Sequence, residues 1–533
     1  VLPPFSSGPW YQGVIFSDGS PSMYKGGGAL VDAVNMYCPA PHLRAPWRSR
    51  PNVTRVGSFQ LGSGSTRDGQ CVFDHTRPDG TNDPLMFAGG KMYVWNGSIS
   101  APSVTDITPG AVTIATTGRI YCATFGGLLI VTDGVNTPWT YDPDTATATL
   151  IDLDGSGTAW TAFGPPVVYG GKVFFILATL GATTYRSRIV WSEEADPSIG
   201  YMQVTAGNTY TNFWTLTQTS SDPLICLAAT NAALYYFRAS SIGQITGLVN
   251  AAFATTATHD SVSQTIGSTA PATIVQVDED IYFLDIQSRQ WRIKNGALDP
   301  LWKAINAFGP DVDAGAPPAA VRVSAVMPTE RLVLADFGNS TFASSGRRVW
   351  DADSGTFQGS WNFPFPITDA IGTLRSSDGL PFLFIIGSND QFSGGANQGF
   401  VYRFRGSQEG ESQFDDNLYS AFLQRYVKCV VGGDLEREQI ITRVTAEVYN
   451  TAFEASVSYN ILVAGNNTNF SNAATATTTG GFGYEADHVS IGFNVFGRWF
   501  AITISCSDKT VPEFRVNRMV AERIDAGVNV NGL

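Results

Sequence analysis

Met86-Phe-Ala-Gly89-Gly90-Lys-Met-Tyr-Val-Trp95 is an apolar strand, a two-residue glycine turn and a second apolar strand, with nothing between them. Two more stretches nearly superimpose on it: Ala123-Thr-Phe-Gly126-Gly127-Leu-Leu-Ile-Val-Thr132 and Val167-Val-Tyr-Gly170-Gly171-Lys-Val-Phe-Phe-Ile176. Gly-Gly suits a tight hairpin because its central residues must reach positive φ. Four looser copies follow, with turns at Thr230-Asn231, Asp278-Glu279, Thr329-Glu330 and Asp378-Gly379. Successive turns start 37, 44, 60, 48, 51 and 49 residues apart. A hairpin returning every ~40–50 residues is what four-stranded propeller blades require. The expected fold is therefore all-β, a β-propeller of six to seven blades.

Outward from these hairpins, short apolar runs supply the other strands. Blade one takes Cys71–Asp74 and Val104–Thr108; blade two takes Thr137–Tyr141 and Ala148–Asp152; blade three takes Arg188–Trp191 and Tyr201–Val204. Blades four to seven show three runs each. Trp95, Trp139, Trp191, Trp291, Trp350 and Tyr402 fall near strand ends, where large rings fill the wedge between diverging blades. Thr205–Thr219 reads as a surface loop. Beyond residue 412 the pattern becomes eight to ten residues of strict alternation, as in Ile441-Thr-Arg-Val-Thr-Ala-Glu-Val-Tyr449, which predicts longer antiparallel strands with one wet face. The division expected is an N-terminal arm over 1–60, the propeller over 61–411 and a C-terminal antiparallel β-sandwich over 412–533. The arm, punctuated by prolines, either clips onto a neighbour or closes the ring of blades.

At 533 residues the chain exceeds one ordinary core. Its formal charge of −13 repels DNA and acidic membranes at long range, which argues against a general nucleic-acid binder. Six cysteines stand far apart without a CxxC pair and read as buried free thiols. No apolar run approaches the ~20 residues of a membrane span. Val1-Leu-Pro-Pro-Phe5 lacks the regions of a signal peptide, so the expectation is a soluble protein made in a reducing cytoplasm.

Catalytic patterns are missing from the sequence. His42, His75, His259 and His488 are scattered, and the His-Asp neighbours in sequence point to opposite faces of a strand. No HExxH, Walker loop or GxSxG occurs. Asp152-Leu-Asp154-Gly155 spaces oxygens for a hard cation, but no EF-hand glutamate follows, and an Asp-Gly turn accounts for it. Asp351-Ala-Asp353-Ser-Gly355 reads as a hairpin turn, and Glu193-Glu194 as a solvated rim loop. No enzyme activity, metal or cofactor is expected. The one basic concentration before the C-terminal third is Arg44, Arg48, Arg50 and Arg55, a candidate interface or DNA-contact arm whose other reading is a set of salt bridges.

Three groups of residues carry a resemblance. Ala33-Val-Asn35-Met-Tyr37, Leu43-Arg44 and Arg48-Ser-Arg50-Pro51-Asn52 resemble the opening of podovirus tail nozzle proteins, the packaged-DNA stabilisation or tail tubular protein B-like family, with Asn52 where Gly is usual. The Gly89–Gly97 hairpin with Thr105-Asp-Ile-Thr-Pro109 is similar to that family's first blade, and Arg498–Ser505 with Phe514–Arg523 to its closing strand pair. The resemblance implies a virion tail protein assembled in the host cytoplasm. It implies a homohexameric ring that extends the portal–adaptor channel, retains packaged DNA and gates its ejection. The implied partners are other copies of the chain, the tail adaptor, a tail fibre or tailspike, and double-stranded DNA in transit. The alternative is a carbohydrate-active or receptor-binding propeller of a phage tail.

Overall fold

The structure is a computed structural model. It describes residues 5–7, 30, 32–34, 36–39, 47–50, 52–55, 60–62, 69–96, 103–152, 159–162, 164–180, 182–192, 213–216, 222–247, 257–304, 323–327, 331–336, 347–361, 367–374, 381–387, 399–405, 425–432, 438–450, 457–466, 474–480, 487–507 and 514–525. The chain is all-β, with propeller-like, four-stranded antiparallel sheets. Sheet 1 holds Gly69–Thr76, Asn82–Ala88, Lys91–Trp95 and Val104–Asp106; sheet 2 holds Tyr121–Phe125, Leu128–Thr132, Trp139–Asp142 and Thr147–Leu150. Sheet 3 holds Val167–Tyr169, Lys172–Ile176, Arg188–Trp191 and Phe213–Thr215; sheet 4 holds Leu224–Ala229, Leu234–Arg238, Ile242–Thr246 and Thr258–Ser263. Sheet 5 holds Val275–Val277, Asp280–Leu284, Gln290–Lys294 and Ala297–Asp299; sheet 6 holds Val323–Met327, Leu332–Asp336, Arg347–Asp351 and Phe357–Ser360. Sheet 7 holds Ile367–Leu374, Pro381–Gly387 and Val401–Arg405, and its fourth strand is Asn52–Arg55 from the start of the chain.

The second strands of sheets 1 to 6 explain the packing. Both faces of each are buried, so each reads as a continuous apolar run rather than an alternating one. Successive side chains enter opposite interfaces. Leu129 and Val131 pack toward Leu85 and Phe87 of sheet 1, while Ile130 packs toward Val173 and Phe175 of sheet 3. Phe174 and Ile176 meet Leu234 and Tyr236; Tyr235 and Phe237 meet Ile281 and Phe283; Tyr282 and Leu284 meet Val333 and Ala335. Leu332 and Leu334 then meet Tyr402, and Val401 meets Met86 and Ala88 of sheet 1. Each sheet thus shares an apolar cluster with the next, and sheet 7 with sheet 1. Each large side chain so buried contributes roughly 1.5–3 kcal/mol.

Several sequence expectations shift. The first glycine hairpin joins strands two and three of sheet 1, whereas Gly126-Gly127 and Gly170-Gly171 join strands one and two. The equivalent turn in sheet 1 is Arg77–Thr81. Thr230 opens a four-residue turn, Thr230–Ala233, closed by Thr230 N–H to Ala233 O at 2.9 Å. The Thr329-Glu330 and Asp378-Gly379 turns, Tyr201–Val204 and the strand near Gly13–Phe16 lie outside the described residues. Within the stretch read as a loop, Phe213–Thr215 is the fourth strand of sheet 3.

Two larger sheets complete the chain. One contains Met36–Tyr37, Trp47–Ser49, Phe514–Asp525, Gln439–Asn450 and Asp487–Gly497, with Phe5–Ser7 also paired to Phe514–Asp525. The other contains Asp32–Val34, Arg425–Gly432, Trp499–Cys506, Val457–Gly465 and Ala474–Gly480, and joins sheet 6 through the parallel pair Val34 and Ser360. Their facing apolar residues, among them Val427, Ile461, Ile502, Val444 and Val516, share one core with sheets 5 and 6. The described strands of residues 1–60 therefore do not stand apart as an arm. They are woven into sheet 7 and both C-terminal sheets.

Candidate interface rim

Antiparallel meanders place the turns between strands one and two, and between three and four, at one rim. The loops between strands two and three, with the links from sheet to sheet, lie at the other. The first rim is laced by polar contacts between neighbours. Arg77 reaches Asp83 at 2.5 Å in its own sheet and Asp144 of sheet 2 at 3.4 Å. Glu279 of sheet 5 accepts from Asn231 of sheet 4 through N (3.0 Å) and Nδ2 (2.5 Å). Arg331 bridges Asp278 at 2.7 Å and Asp353 at 2.8 Å, and hydrogen bonds to those carboxylates raise its pKa. Exposed pairs of this kind add little each.

The opposite rim is built differently. Asp133 Oδ1 accepts from Val135 N at 2.9 Å and Asn136 N at 2.7 Å, while Oδ2 accepts from Ala115 N at 2.9 Å. The equivalent loop of sheet 5 repeats the device: Asp285 Oδ1 accepts from Gln287 N at 2.8 Å and Arg289 N at 2.9 Å. Its Oδ2 accepts from Arg289 Nε at 2.7 Å and Trp291 Nε1 at 2.9 Å. Each aspartate pins a loop whose apolar tip faces solvent, Val135 at 66% and Ile286 at 57% exposure. Leu150, where the last strand of sheet 2 ends on this rim, is 51% exposed. Beside Val135 lies an open cleft of about 280 Å³, lined by Gly134, Thr161, Thr179, Thr184, Arg186 and Pro223 among others. A pinned apolar tip beside a cleft, as at Val135, suits contact with another protein surface.

Near the ring's axis, Arg119 closes sheet 2 onto sheet 7. It donates Nη2 to Asp369 Oδ1 at 2.7 Å and Nη1 to Thr368 O at 2.6 Å. Asp369 Oδ2 accepts from Val72 N at 2.9 Å, tying in sheet 1. Cys71 and Cys122 stand beside this seam with sulfurs 4.0 Å apart. Burial pushes the Tyr121 hydroxyl up, with Arg119 opposing.

Of the arginines singled out in the sequence, only Arg48 and Arg50 have described side chains. Arg50 is buried at 1% exposure, which removes it from phosphate contact. Arg48 is half-buried, its guanidinium 4.9 Å from the Tyr37 ring centre and its backbone opposite Arg515. Arg55 lies in the strand that completes sheet 7; Arg44 and the Arg55 side chain lie outside the described residues. His75 is buried with Nδ1 at 3.0 Å from Thr124 Oγ1, and burial lowers its pKa. His259 contacts Tyr236 Oη, and His488 is exposed on a C-terminal strand. Asp351 forms the hairpin turn, accepting from Ser354 N at 2.7 Å. Asp154, Glu193, Glu194 and His42 lie outside the described residues. Among the described residues no three His, Cys, Asp or Glu side chains group as metal ligands, and no helix is long and apolar enough to cross a membrane. Asp133 and Asp285 were not singled out; their signal is an aspartate directly after an apolar strand.

No family model and no curated protein matches the chain. Among solved structures, the chain is similar to the extracellular domain of a hybrid two-component system from B. thetaiotaomicron, at 9% identity and a TM-score of 0.39. The match covers 72% of this chain and 44% of that one.

Proposed function

We propose that the chain is a structural ring component of a podovirus-type tail nozzle: a seven-bladed β-propeller carrying a C-terminal β-sandwich, repeated as a homohexamer. In this reading it extends the portal–adaptor channel, holds packaged DNA and gates its release, and it performs no catalysis. The observation that carries the reading is that Val135 and Ile286 are held out to solvent on aspartate-pinned loops of the same rim. A closing ring needs a fixed, heterologous contact surface of this kind. The formal charge of −13 adds support, since an acidic wall lets DNA pass without being trapped. The sequence resemblance supplies the family.

The test is light scattering after size exclusion, with negative-stain imaging, of the wild type and a Val135→Asp/Ile286→Asp double variant. The wild type should form rings. The double variant should keep its circular dichroism and melting temperature yet assemble at least ~10-fold more weakly, since each buried tip contributes roughly 1.5–3 kcal/mol. A wild-type protein that stays monomeric and hydrolyses glycans would sink this reading in favour of a carbohydrate-active propeller.

A further inference from the structure

Cys71 lies on the first strand of sheet 1 and Cys122 on the first strand of sheet 2, so they face each other across a sheet–sheet interface rather than along one hairpin. Their sulfurs are 4.0 Å apart, and both thiols are free. A disulfide needs that gap to close to about 2 Å. The two differ in access: Cys71 is buried and Cys122 half-exposed. The remaining four cysteines, Cys38, Cys226, Cys429 and Cys506, are all buried.

We infer that Cys71 and Cys122 form a disulfide-forming modification site, which a small-molecule disulfide oxidises to a covalent staple between sheets 1 and 2. The order of events follows from access. The Cys122 thiolate attacks one sulfur of the external disulfide, forming a mixed disulfide and releasing one thiolate, which takes up the proton Cys122 lost. The Cys71 thiolate then attacks the Cys122 sulfur, and the second small thiol leaves with the Cys71 proton. Two protein thiols become one disulfide, and one external disulfide becomes two thiols. The contact with Cys122, and then burial, push the Cys71 thiol well up, so the second step is slow and accelerates at alkaline pH. Because the bond would close a long loop, it restrains the unfolded chain substantially. The reduced chain made in a reducing compartment stays uncrosslinked, and exposure to an oxidising one locks the seam beside Arg119 and Asp369. This inference does not depend on the proposed nozzle role.

The experiment treats the folded full chain with oxidised glutathione, quenches with an alkylating reagent, and maps peptides by mass spectrometry without reduction. The expected product is a peptide pair joining Cys71 to Cys122, lacking two hydrogens, with the other four cysteines alkylated only after unfolding. Melting temperature should rise by roughly 3–4 °C and fall back on adding dithiothreitol. Cys122→Ser should show neither change, and Cys71→Ser should stop at the mixed disulfide on Cys122. Recovery of Cys122 only as its glutathione adduct, a bond to a different cysteine, or no oxidation at all would each overturn the inference. The wild-type peptide map decides this even where a serine variant fails to fold.

Discussion

Gly126 and Gly127 form one turn, yet adding a single methyl group to each should have different consequences. Both sit at positive φ, 58° and 83°, so alanine at either costs about 1 kcal/mol of left-handed backbone strain. At Gly126 the new Cβ meets nothing within 4 Å. At Gly127 it runs into the Pro78 ring of the neighbouring sheet, with Cδ at 2.7 Å and Cγ nearer still. Pro78 has little room to yield. Its turn is closed by Arg77 N to Thr81 O at 2.8 Å and braced by Asp79 Oδ1, which accepts from Thr81 N at 2.9 Å. Forcing a methyl into that contact adds an overpacking cost of about 1–3 kcal/mol. Gly126→Ala should therefore destabilise by about 1 kcal/mol and Gly127→Ala by about 2–4 kcal/mol. Urea unfolding followed by tryptophan fluorescence reads both as midpoint shifts at constant slope. Equal shifts, or a larger one at Gly126, would show that sheets 1 and 2 do not meet through Pro78 and Gly127.

Deleting residues 1–60 should abolish cooperative unfolding rather than leave an intact ring, because it removes Asn52–Arg55 from sheet 7 and strands from both C-terminal sheets. A soluble truncated protein with a wild-type thermal transition would contradict this. Asp285→Ala should cost about 3–5 kcal/mol, since it leaves the Trp291 indole N–H and the Gln287 and Arg289 backbone N–H groups without their acceptor. Asp285→Asn, which keeps an amide oxygen, should cost clearly less in the same denaturant assay; equal losses would mean those bonds are not what holds the loop. Burial lowers the His75 pKa from 6.5, with Asp83 only partly opposing. The unfolded chain then takes up the proton first, so this contribution is intact above pH 6.5 and is lost as pH falls from there toward the lowered value. His75→Gln should flatten that part of the stability-versus-pH curve, and an unchanged slope would assign the acid sensitivity elsewhere.

Strand two of sheets 1 to 6 was legible because it is apolar on both faces and, in sheets 1, 2, 3 and 5, borders a tight turn. Lys172–Ile176 and Leu234–Arg238 are buried at every position, so no surface pattern interrupts the run. The outer strands were legible only in part, for the opposite reason. Thr258–Ser263 is mostly exposed and carries no apolar run, and Ala297–Asp299 is three residues long. They are strands because a neighbouring edge offers them hydrogen bonds, which their own composition does not announce. Closure of the blades by residues 1–60 was one of two readings of the sequence, but the partner of Asn52-Val-Thr-Arg55 lies some 350 residues away in the chain, and four residues cannot advertise a pairing at that distance. The repeat itself was read one strand out of phase at its first copy. Gly89-Gly90 resembles Gly126-Gly127 in sequence, but counting from Pro78, the true equivalent, gives an interval of 126 − 78 = 48 residues, in line with the later spacings.

The candidate rim shows how position in the fold changes the meaning of a residue. Asp133 and Asp285 look like ordinary turn aspartates in the sequence, and each follows the last residue of a buried strand. What distinguishes them is that their Oδ1 acceptors are spent on backbone N–H groups two to four residues onward, leaving the next apolar side chain no route to the core. Val135 and Ile286 are exposed for that reason, not for want of hydrophobicity. Arg50 is the converse case, a residue whose charge suggested a surface and whose place beside a C-terminal strand buries it. A structural motif that immobilises an apolar tip lowers the entropy that a partner must remove on docking. Loosening the loop at Asp285 should therefore weaken assembly even though Ile286 itself is untouched. If Asp285→Ala, under conditions where it stays folded, assembled normally while Ile286→Asp did not, tip hydrophobicity alone would be the determinant and the pinning would serve only the fold.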